Sequence, residues 1–385
     1  MKNIYYFCNH PYPLVIMDSI ATIYSKNFKD LRQYLIFVKH PYFNNLLYSE
    51  YFNNFDKVYY LPWIDYENNV FKNIRKHREY IGKLKSIPFE DSALFFTISY
   101  SDLATNIFCN YIKNFGLNNK IIHFSIYGNF LDVSNGVLNI FKTILANLNA
   151  FLFNGRYLKI YTNSFGILID RIYTKDPHDQ IFMLSSSNSN SISKFPFIPY
   201  PLTLLNGSRK LTSKLLIFFA DTSLIDQYNL DSILFYEIIN KMISTIIKKY
   251  KNKNIKFIYK PHPLDKDCIP DQIKNYSLSL FGEKLTAEMI FLKYRNEIEA
   301  IYSISSVACL TGSYQGIPSY VAYRLFSFAE HEMKLFKQYF KYSNRQTFLE
   351  LQSFDEIGVI DNKKHEQKID DNHDEWLNLL KNSIY

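Results

Sequence analysis

The sequence alternates short runs of β-forming residues with longer stretches whose apolar residues recur every three or four positions. In the N-terminal half, strand patterns fall at 3–8, 33–38, 57–61, 93–98 and 120–124. Helical patterns lie between them at 14–24, 71–84 and 103–114. A strand, a helix and a second strand in succession form a parallel pair joined by a crossover helix. The alternation therefore predicts an α/β fold built on parallel sheets.

A loop-rich stretch interrupts this alternation near the middle of the chain. Residues 185–191 are serines and asparagines, and three prolines and a glycine follow within 196–207. These residue types favour turns and connections. Strand and helix patterns restart at 214–220 and 233–250, and a chain of 385 residues is long enough for two domains. We therefore predict an N-terminal domain of residues 1–205 and a C-terminal domain of residues 206–385.

Composition and charge indicate which partners and which classes of protein to expect. The net charge of +8 favours negatively charged partners. No zinc-finger spacing or RNA-binding signature occurs, so nucleic acid is not an expected partner. No run of 18 apolar residues is present, and residues 1–7 are too short and aromatic for a signal peptide. The four cysteines are Cys8, Cys109, Cys268 and Cys309. Because no two of them form a CxxC pair, they are predicted to be reduced thiols.

The segment 257–263 ends a β-forming run abruptly in Lys260-Pro261-His262-Pro263. Proline fixes φ and removes a backbone donor, so the strand must end there. His262 is thereby placed on a stiff loop just past the carboxyl end of a strand, where open α/β sheets bind their ligands. Lys260 adds a positive charge that suits an anionic group such as a phosphate. The alternative is a surface histidine in a proline turn.

A serine pair, Ser305-Ser306, follows a strand pattern at 300–303 and precedes an apolar run. Two hydroxyls and the backbone N–H groups at a helix start can bind a phosphate without a glycine-rich loop. Such a pair can also serve only as a helix N-cap. Its place after the histidine loop favours the phosphate interpretation, and residues 316–320 then predict a turn into another short strand.

The order of these motifs resembles that of bacterial sialyltransferases of GT-B architecture. The resemblance is to the lipooligosaccharide sialyltransferases (glycosyltransferase family 52) and, more distantly, to capsular polysialyltransferases. It covers about residues 210–325 and rests on four segments: Leu215–Asp221, Tyr259–Pro263, Thr286–Glu288 and Ile304–Ala308. Upstream, Cys8-Asn9-His10-Pro11 stands in the place of the family's N-terminal substrate loop.

The resemblance implies a GT-B architecture, in which two Rossmann-like domains face a central cleft. The N-terminal domain would bind the acceptor and the C-terminal domain the donor. The reaction would be an inverting, single-displacement transfer of sialic acid or a related acidic sugar from a CMP-sugar to a bacterial lipooligosaccharide or capsule. Beyond the donor substrate, CMP-sialic acid or a similar nucleotide-sugar, no cofactor and no essential metal ion are expected. Donor-binding residues implied by the resemblance are Lys260, Pro261, His262, Pro263, Ser305, Ser306, Glu288 and Asp221.

The general base is the main departure from the family pattern. Members carry an acidic pair before a glycine, whereas this chain has Ser125-Ile126-Tyr127-Gly128-Asn129. Asp132 is our candidate base, Asp102 is the alternative, and His123 is also near. On the acceptor side the resemblance points to His10, Gly128 and Asn129.

Three other functions stay open from the residues. A teichoic-acid-type transferase would use a CDP-linked polyol phosphate, and another GT-B enzyme would use a UDP- or GDP-sugar. The absent acidic pair also allows a catalytically degenerate, glycan-binding homologue. For the enzyme we expect a cytoplasmic location with peripheral contact at the inner membrane, and an oligosaccharide or glycolipid acceptor. The residues do not indicate an oligomeric state.

Overall fold

The protein was analysed as a computed structural model with two compact units. The structure describes residues 3–9, 11–39, 53–64, 70–98, 103–115, 119–125, 180–183, 213–262, 265, 268–281, 285–340, 343, 346–360, 374, 377–378 and 381–382. One unit comprises Met1–Leu202 together with Asp371–Tyr385, and the other comprises Thr203–Asp370. The assignment of residues 1–205 to the acceptor and 206–385 to the donor stays a prediction.

The first unit contains a parallel sheet of six strands among its described residues. In chain order they are β1 (Asn3–Cys8), β2 (Arg32–Lys39), β3 (Lys57–Pro62), β4 (Leu94–Ile98), β5 (Lys120–Ser125) and β6 (Gln180–Met183). The helices are α1 (Pro11–Asn27), α2 (Val70–Lys85) and α3 (Leu103–Phe115). The spatial order β3-β2-β1-β4-β5-β6 reverses direction between β1 and β4, as in a Rossmann fold.

Aromatic side chains fill the core of the first unit. Every residue of β1 is buried, as expected for a strand covered on both faces. The Tyr5 ring stacks between Tyr34 and Phe95, with ring centroids 5.0 and 5.1 Å away. On the opposite face of the strand, Tyr6 stacks on Phe96 at 5.2 Å. Large planar side chains thus bridge neighbouring strands on both faces of the sheet.

The second unit repeats this arrangement. Its strands are β7 (Lys214–Ala220), β8 (Ile255–Pro261), β9 (Ser279–Leu280), β10 (Ile298–Ser303), β11 (Ser319–Val321) and β12 (Phe348–Glu350). Its helices are α4 (Leu224–Gln227), α5 (Ser232–Tyr250), α6 (Ala287–Tyr294), α7 (Val307–Tyr314) and α8 (Glu330–Phe340). The order β12-β11-β10-β7-β8-β9 again reverses at the first strand, between β7 and β10. All these pairings are parallel.

Strand β8 ends at Pro261, and the pairing of its neighbour explains why a proline is tolerated there. Strand β9 pairs only with Ile258 and Tyr259, so it has ended before Pro261 is reached. A residue that lies past the end of the neighbouring strand makes no ladder hydrogen bond on that side. Proline, which has no N–H to donate, is tolerated in sheets at such positions. The strand therefore includes Lys260 and Pro261, the first two residues of the Lys260-Pro261-His262-Pro263 segment.

Gly312 allows α7 to lie close against β10. A Cβ atom at this position would overlap the terminal methyl of Ile301 and would lie 3.3 Å from Ser319 Oγ. Ile301 and Ser319 are both fully buried, so neither has space into which to move. Gly312→Ala is therefore expected to lower the free energy of unfolding by about 1–3 kcal/mol, the usual cost of overpacking.

Gly82 in α2 is the matched control, because a Cβ there would meet nothing within 4 Å. In an exposed helix interior, Gly82→Ala should raise the free energy of unfolding by about 0.5–1 kcal/mol. Urea unfolding followed by circular dichroism measures both variants. Equal effects of the two substitutions would show that the close contact at Gly312 does not control the packing of α7.

Candidate functional site

The carboxyl edge of the second sheet brings three of the predicted segments together. Strand β7 lies between β8 and β10, with Ala220 paired to Pro261 and Phe219 paired to Ser303. The residues after these strands therefore leave the sheet at the same edge. That edge is also where the strand order reverses, the usual ligand position in open α/β sheets. Strands β8 and β10 are two strand spacings apart, about 10 Å.

The histidine loop begins within the last residues of β8. Pro261 is buried, and Lys260 and His262 are half-buried. The Lys260 ammonium donates a hydrogen bond of 3.3 Å to the Pro261 carbonyl. The Asp265 N–H donates to the His262 carbonyl at 2.9 Å and so closes a turn around the histidine. The structure thus places Lys260, Pro261 and His262 at a strand's carboxyl end, as the sequence predicts.

Asp265 ties the histidine loop to the loop that follows β7. Its carboxylate accepts hydrogen bonds from the Thr222 N–H at 2.9 Å and the Ser223 N–H at 3.1 Å. Both N–H groups lie just before α4, and the N–H groups at the start of a helix have no hydrogen-bond partner within the helix. A single carboxylate therefore satisfies two donors of one loop and holds the other loop beside them. Sequence reasoning missed Asp265, because its partners lie more than 40 positions away.

Asp221 is the first residue after β7 and is half-buried. Its Oδ1 accepts a 2.5 Å hydrogen bond from the Ser223 hydroxyl. Since Asp265 and Asp221 both bind this loop, the carboxylates here act on the protein's own donors.

The serine pair lies at the start of α7, directly after β10. Ser306 is the N-cap of this helix, and its Oγ accepts from the Ala308 N–H at 3.2 Å. Its own N–H donates to the Ser303 hydroxyl at 3.0 Å. The capping role that the sequence allowed is thus present, and it leaves the Ser306 hydroxyl proton able to be donated. Ser305 is half-buried.

Glu288 carries a carboxyl group inside the protein. It lies in the first turn of α6, whose N-cap is Thr286, and only 8% of the residue is exposed. Burial raises the pKa of this carboxyl to about 7, although hydrogen bonds from its own backbone N–H and from Thr286 oppose the shift. A carboxyl so enclosed makes its nearest contacts with the start of its own helix. Its role toward a ribose or base stays a prediction.

The switch point of the first sheet, between β1 and β4, holds a buried amide. The Asn9 Nδ2 donates to the Thr105 hydroxyl at 3.2 Å, and both residues are buried. This bond ties the residue after β1 to the first turn of α3. Thr105 was not singled out from the sequence, because a threonine in an apolar helix carries no distinctive signal.

The predicted acceptor-side residues lie outside the described residues, as does one donor-side residue. These are His10, Asp102, Gly128, Asn129, Asp132 and Pro263. His123 belongs to β5. The general base therefore stays a prediction.

No helix within the described ranges is long and apolar enough to span a bilayer. Nor do those residues include a group of three histidine, cysteine or acidic side chains that could hold a metal ion.

Comparison with known proteins supports the fold. The UDP-GlcNAc 2-epimerase from Methanocaldococcus jannaschii aligns with a TM-score of 0.51 at 12% identity, over 99% of this chain and 100% of that chain. Spinosyn rhamnosyltransferase complexed with thymidine diphosphate gives 0.46 at 11% identity, over 100% and 92% of the two chains. The glycotransferase of kitacinnamycin gives 0.48 at 9% identity, over 99% and 94%. No family model and no curated protein matches the sequence.

The prediction of an α/β chain with two Rossmann-like domains of GT-B type is confirmed. Two parallel six-stranded sheets with the Rossmann order are present, and the epimerase shares this fold along the whole chain. At identities this low, similarity extends to the fold and not to the reaction.

Proposed function

We propose that the protein is a glycosyltransferase that uses a nucleotide-activated sugar. The observation that supports this most directly is the meeting of the Lys260–His262 loop and the N-terminus of α7 at the switch point of one Rossmann-like sheet. Side chains from both segments, about 10 Å apart at the backbone, can reach a phosphate lying over the end of β7. The edge thus combines positive charge, hydroxyl donors and a helix N-terminus.

In the proposed transfer, an oxygen of the acceptor attacks the anomeric carbon of the donor sugar. The bond from that carbon to the phosphate oxygen breaks, and the nucleotide leaves. His262 donates a proton or a hydrogen bond to the leaving phosphate, while the Ser305 and Ser306 hydroxyls bind its other oxygens. Stabilising charge on the departing group is the dominant effect expected in such a reaction. The acceptor hydroxyl gives its proton to a base, for which Asp132 is our proposal and Asp102 the alternative.

We propose a CMP-sugar as the donor, and sialic acid or a related acidic sugar as the group transferred. The support is the order of the motifs from Leu215 to Ala308, which resembles the bacterial sialyltransferases. The acceptor would be a lipooligosaccharide or capsule glycan, and the enzyme would act in the cytoplasm. A net charge of +8 suits both an acidic donor and an anionic glycan.

A UDP-sugar is the second candidate donor. It is favoured by the fold shared with the M. jannaschii enzyme, a UDP-GlcNAc 2-epimerase. A CDP-linked polyol phosphate and a non-catalytic glycan-binding role are weaker alternatives.

A thermal-shift series with CMP, CDP, UDP and GDP distinguishes these candidates. A ligand that binds only the folded protein at 100 times its Kd stabilises it by about 2.7 kcal/mol. We expect the largest stabilisation from CMP, and we expect His262→Ala to abolish it. A response to UDP or CDP alone would instead favour the corresponding donor. Stabilisation by none of the four would contradict the proposal that the chain binds a nucleotide-sugar.

A further inference from the structure

Helix α2 carries a concentration of positive charge that the proposed catalytic site does not use. Its sixteen residues, VFKNIRKHREYIGKLK, include six lysines and arginines and one acid. The helix thus carries a net charge of +5, out of +8 for the whole protein. The basic residues are Lys72, Arg75, Lys76, Arg78, Lys83 and Lys85.

The two faces of α2 differ sharply. His77, Tyr80 and Leu84 are buried, and the Tyr80 hydroxyl donates to the Ala104 carbonyl at 3.0 Å, which joins this face to α3. At 100° per residue these three positions lie within about 60° of one another around the helix. The opposite side of the helix is therefore the side away from the core.

The basic residues occupy that outer side. Lys72, Arg75, Arg78, Lys83 and Lys85 are exposed, and Lys76 is half-buried. Arg75 lies near the middle of the outer arc, with Arg78 and Lys85 along one flank and the other lysines along the opposite flank. Glu79 is the one acidic residue in the sequence of this helix, and it pairs with Lys83 at 3.1 Å. We call this surface, formed by the six basic residues, the α2 basic face.

We propose that the α2 basic face binds the surface of an anionic lipid bilayer. Clusters of four to eight lysines and arginines on an amphipathic helix bind acidic headgroups, and each residue near the surface contributes roughly a fivefold gain in affinity. The face is about 21 Å long, because Lys72 to Lys85 span fourteen helical residues. It would hold the first unit against a membrane while the second unit binds its nucleotide.

The shape of the α2 basic face favours a bilayer over a soluble anionic polymer. Its charges are spread over a wide arc on the convex outer side of one helix. A plane of headgroups can meet charges on both flanks of such a helix, whereas a single polymer chain is held better in a groove lined by cations. The buried contacts of His77, Tyr80 and Leu84 also fix the helix on the protein, so it can bind without inserting.

The inference rests on the proposed function only for its purpose, since a glycolipid acceptor would bring the enzyme to a membrane. Its test is independent of catalysis because vesicle binding is measured without a sugar donor. Failure to bind vesicles would therefore contradict only the proposal that the α2 basic face binds a membrane. Failure to bind a nucleotide would contradict only the proposed function.

The test is co-sedimentation of the full chain with vesicles of phosphatidylcholine alone or with 30 mol% phosphatidylglycerol. The variant is the triple substitution Arg75→Gln, Arg78→Gln and Lys85→Gln, all at exposed positions. We expect the wild type to bind the vesicles that contain phosphatidylglycerol and not those of phosphatidylcholine alone. The triple variant should bind the anionic vesicles with about 100-fold lower affinity, and 0.5 M NaCl should strongly weaken binding of the wild type. Circular dichroism establishes that the variant is folded.

A matched control removes the same charge from the other unit. Lys248, Lys251 and Lys256 are exposed residues of the second unit, and changing all three to glutamine also lowers the net charge by three. We expect this control to bind anionic vesicles within about threefold of the wild type. Equal losses in both triple variants would show a general charge effect and would overturn the assignment to α2. Binding of polyphosphate or single-stranded DNA, but not of vesicles, through the same three residues would also overturn it.

Discussion

Replacing His262 with alanine is expected to slow nucleotide release from the sugar donor by about 100- to 1,000-fold, the usual cost of losing one group that stabilises developing charge. His262 follows β8, the strand next to β7, on a turn closed by Asp265. Without the imidazole, the leaving phosphate loses a proton or hydrogen-bond donor. The measurement is release of CMP from CMP-sialic acid, or of UDP from UDP-GlcNAc if UDP stabilises the protein more strongly.

His331→Ala is the matched control, because the His331 side chain is 83% exposed on α8. We expect it to retain wild-type turnover. Urea unfolding should show that His262→Ala costs less than about 1 kcal/mol, since it changes a half-buried loop residue outside the core. Full activity in a folded His262→Ala protein would remove His262 from the reaction and would leave only a structural role for its loop.

The second large effect expected is on stability, through the buried carboxyl group of Asp18 in α1. Burial raises the pKa of Asp18 to about 7, and a hydrogen bond from Asn54 at 2.6 Å opposes the shift. In the unfolded chain the same group ionises near pH 4. Its contribution to stability is therefore fully present below about pH 4 and is lost as the pH rises to about 7. A difference of about three pKa units corresponds to about 4 kcal/mol.

Asp18→Asn should remove this dependence because an amide stays neutral and can still accept from Asn54 through Oδ1. The free energy of unfolding of the variant should exceed that of the wild type by an amount that grows from pH 4 to 7 and reaches about 4 kcal/mol. Tryptophan fluorescence reports on the first unit through Trp63, which packs against the core of that unit.

Asp91→Asn is the control for Asp18, since it removes an exposed acid from the same unit. Its difference from the wild type should not grow over this pH range. Parallel pH profiles for Asp18→Asn and the wild type would contradict a buried, neutral Asp18 at pH 7 and would indicate that water reaches this carboxyl group.

The local pattern predicted the elements of the second unit closely. The pattern at 214–220 is strand β7, and the helix pattern at 233–250 is α5. Apolar periodicity defines such elements because one face must be buried whatever the neighbours are. The helix predicted at 14–24 begins earlier, at Pro11, because proline is tolerated in a first helical turn, where N–H groups need no helical partner.

Patterns were less informative where elements are short. The two-residue strand β9 and the four-residue strand β6 were not predicted, since runs this short show no period of their own. Their pairing with β8 and β5 arises from neighbours already in place. The Ser306 cap was predicted as one of two alternatives, and the structure shows that it caps α7 while lying at the predicted edge.

By itself, the sequence determined that this chain alternates strands and helices, that the alternation restarts after a linker, and that His262 follows the carboxyl end of a strand. These properties depend on periodicity and on the geometry of proline, which act over a few residues. The tertiary structure alone decided that β10 lies beside β7, which brings Ser306 and His262 to one edge. It also decided that Asp265 joins two loops and that Asp18 and Glu288 are buried, because strand order and burial depend on contacts between residues far apart in the chain.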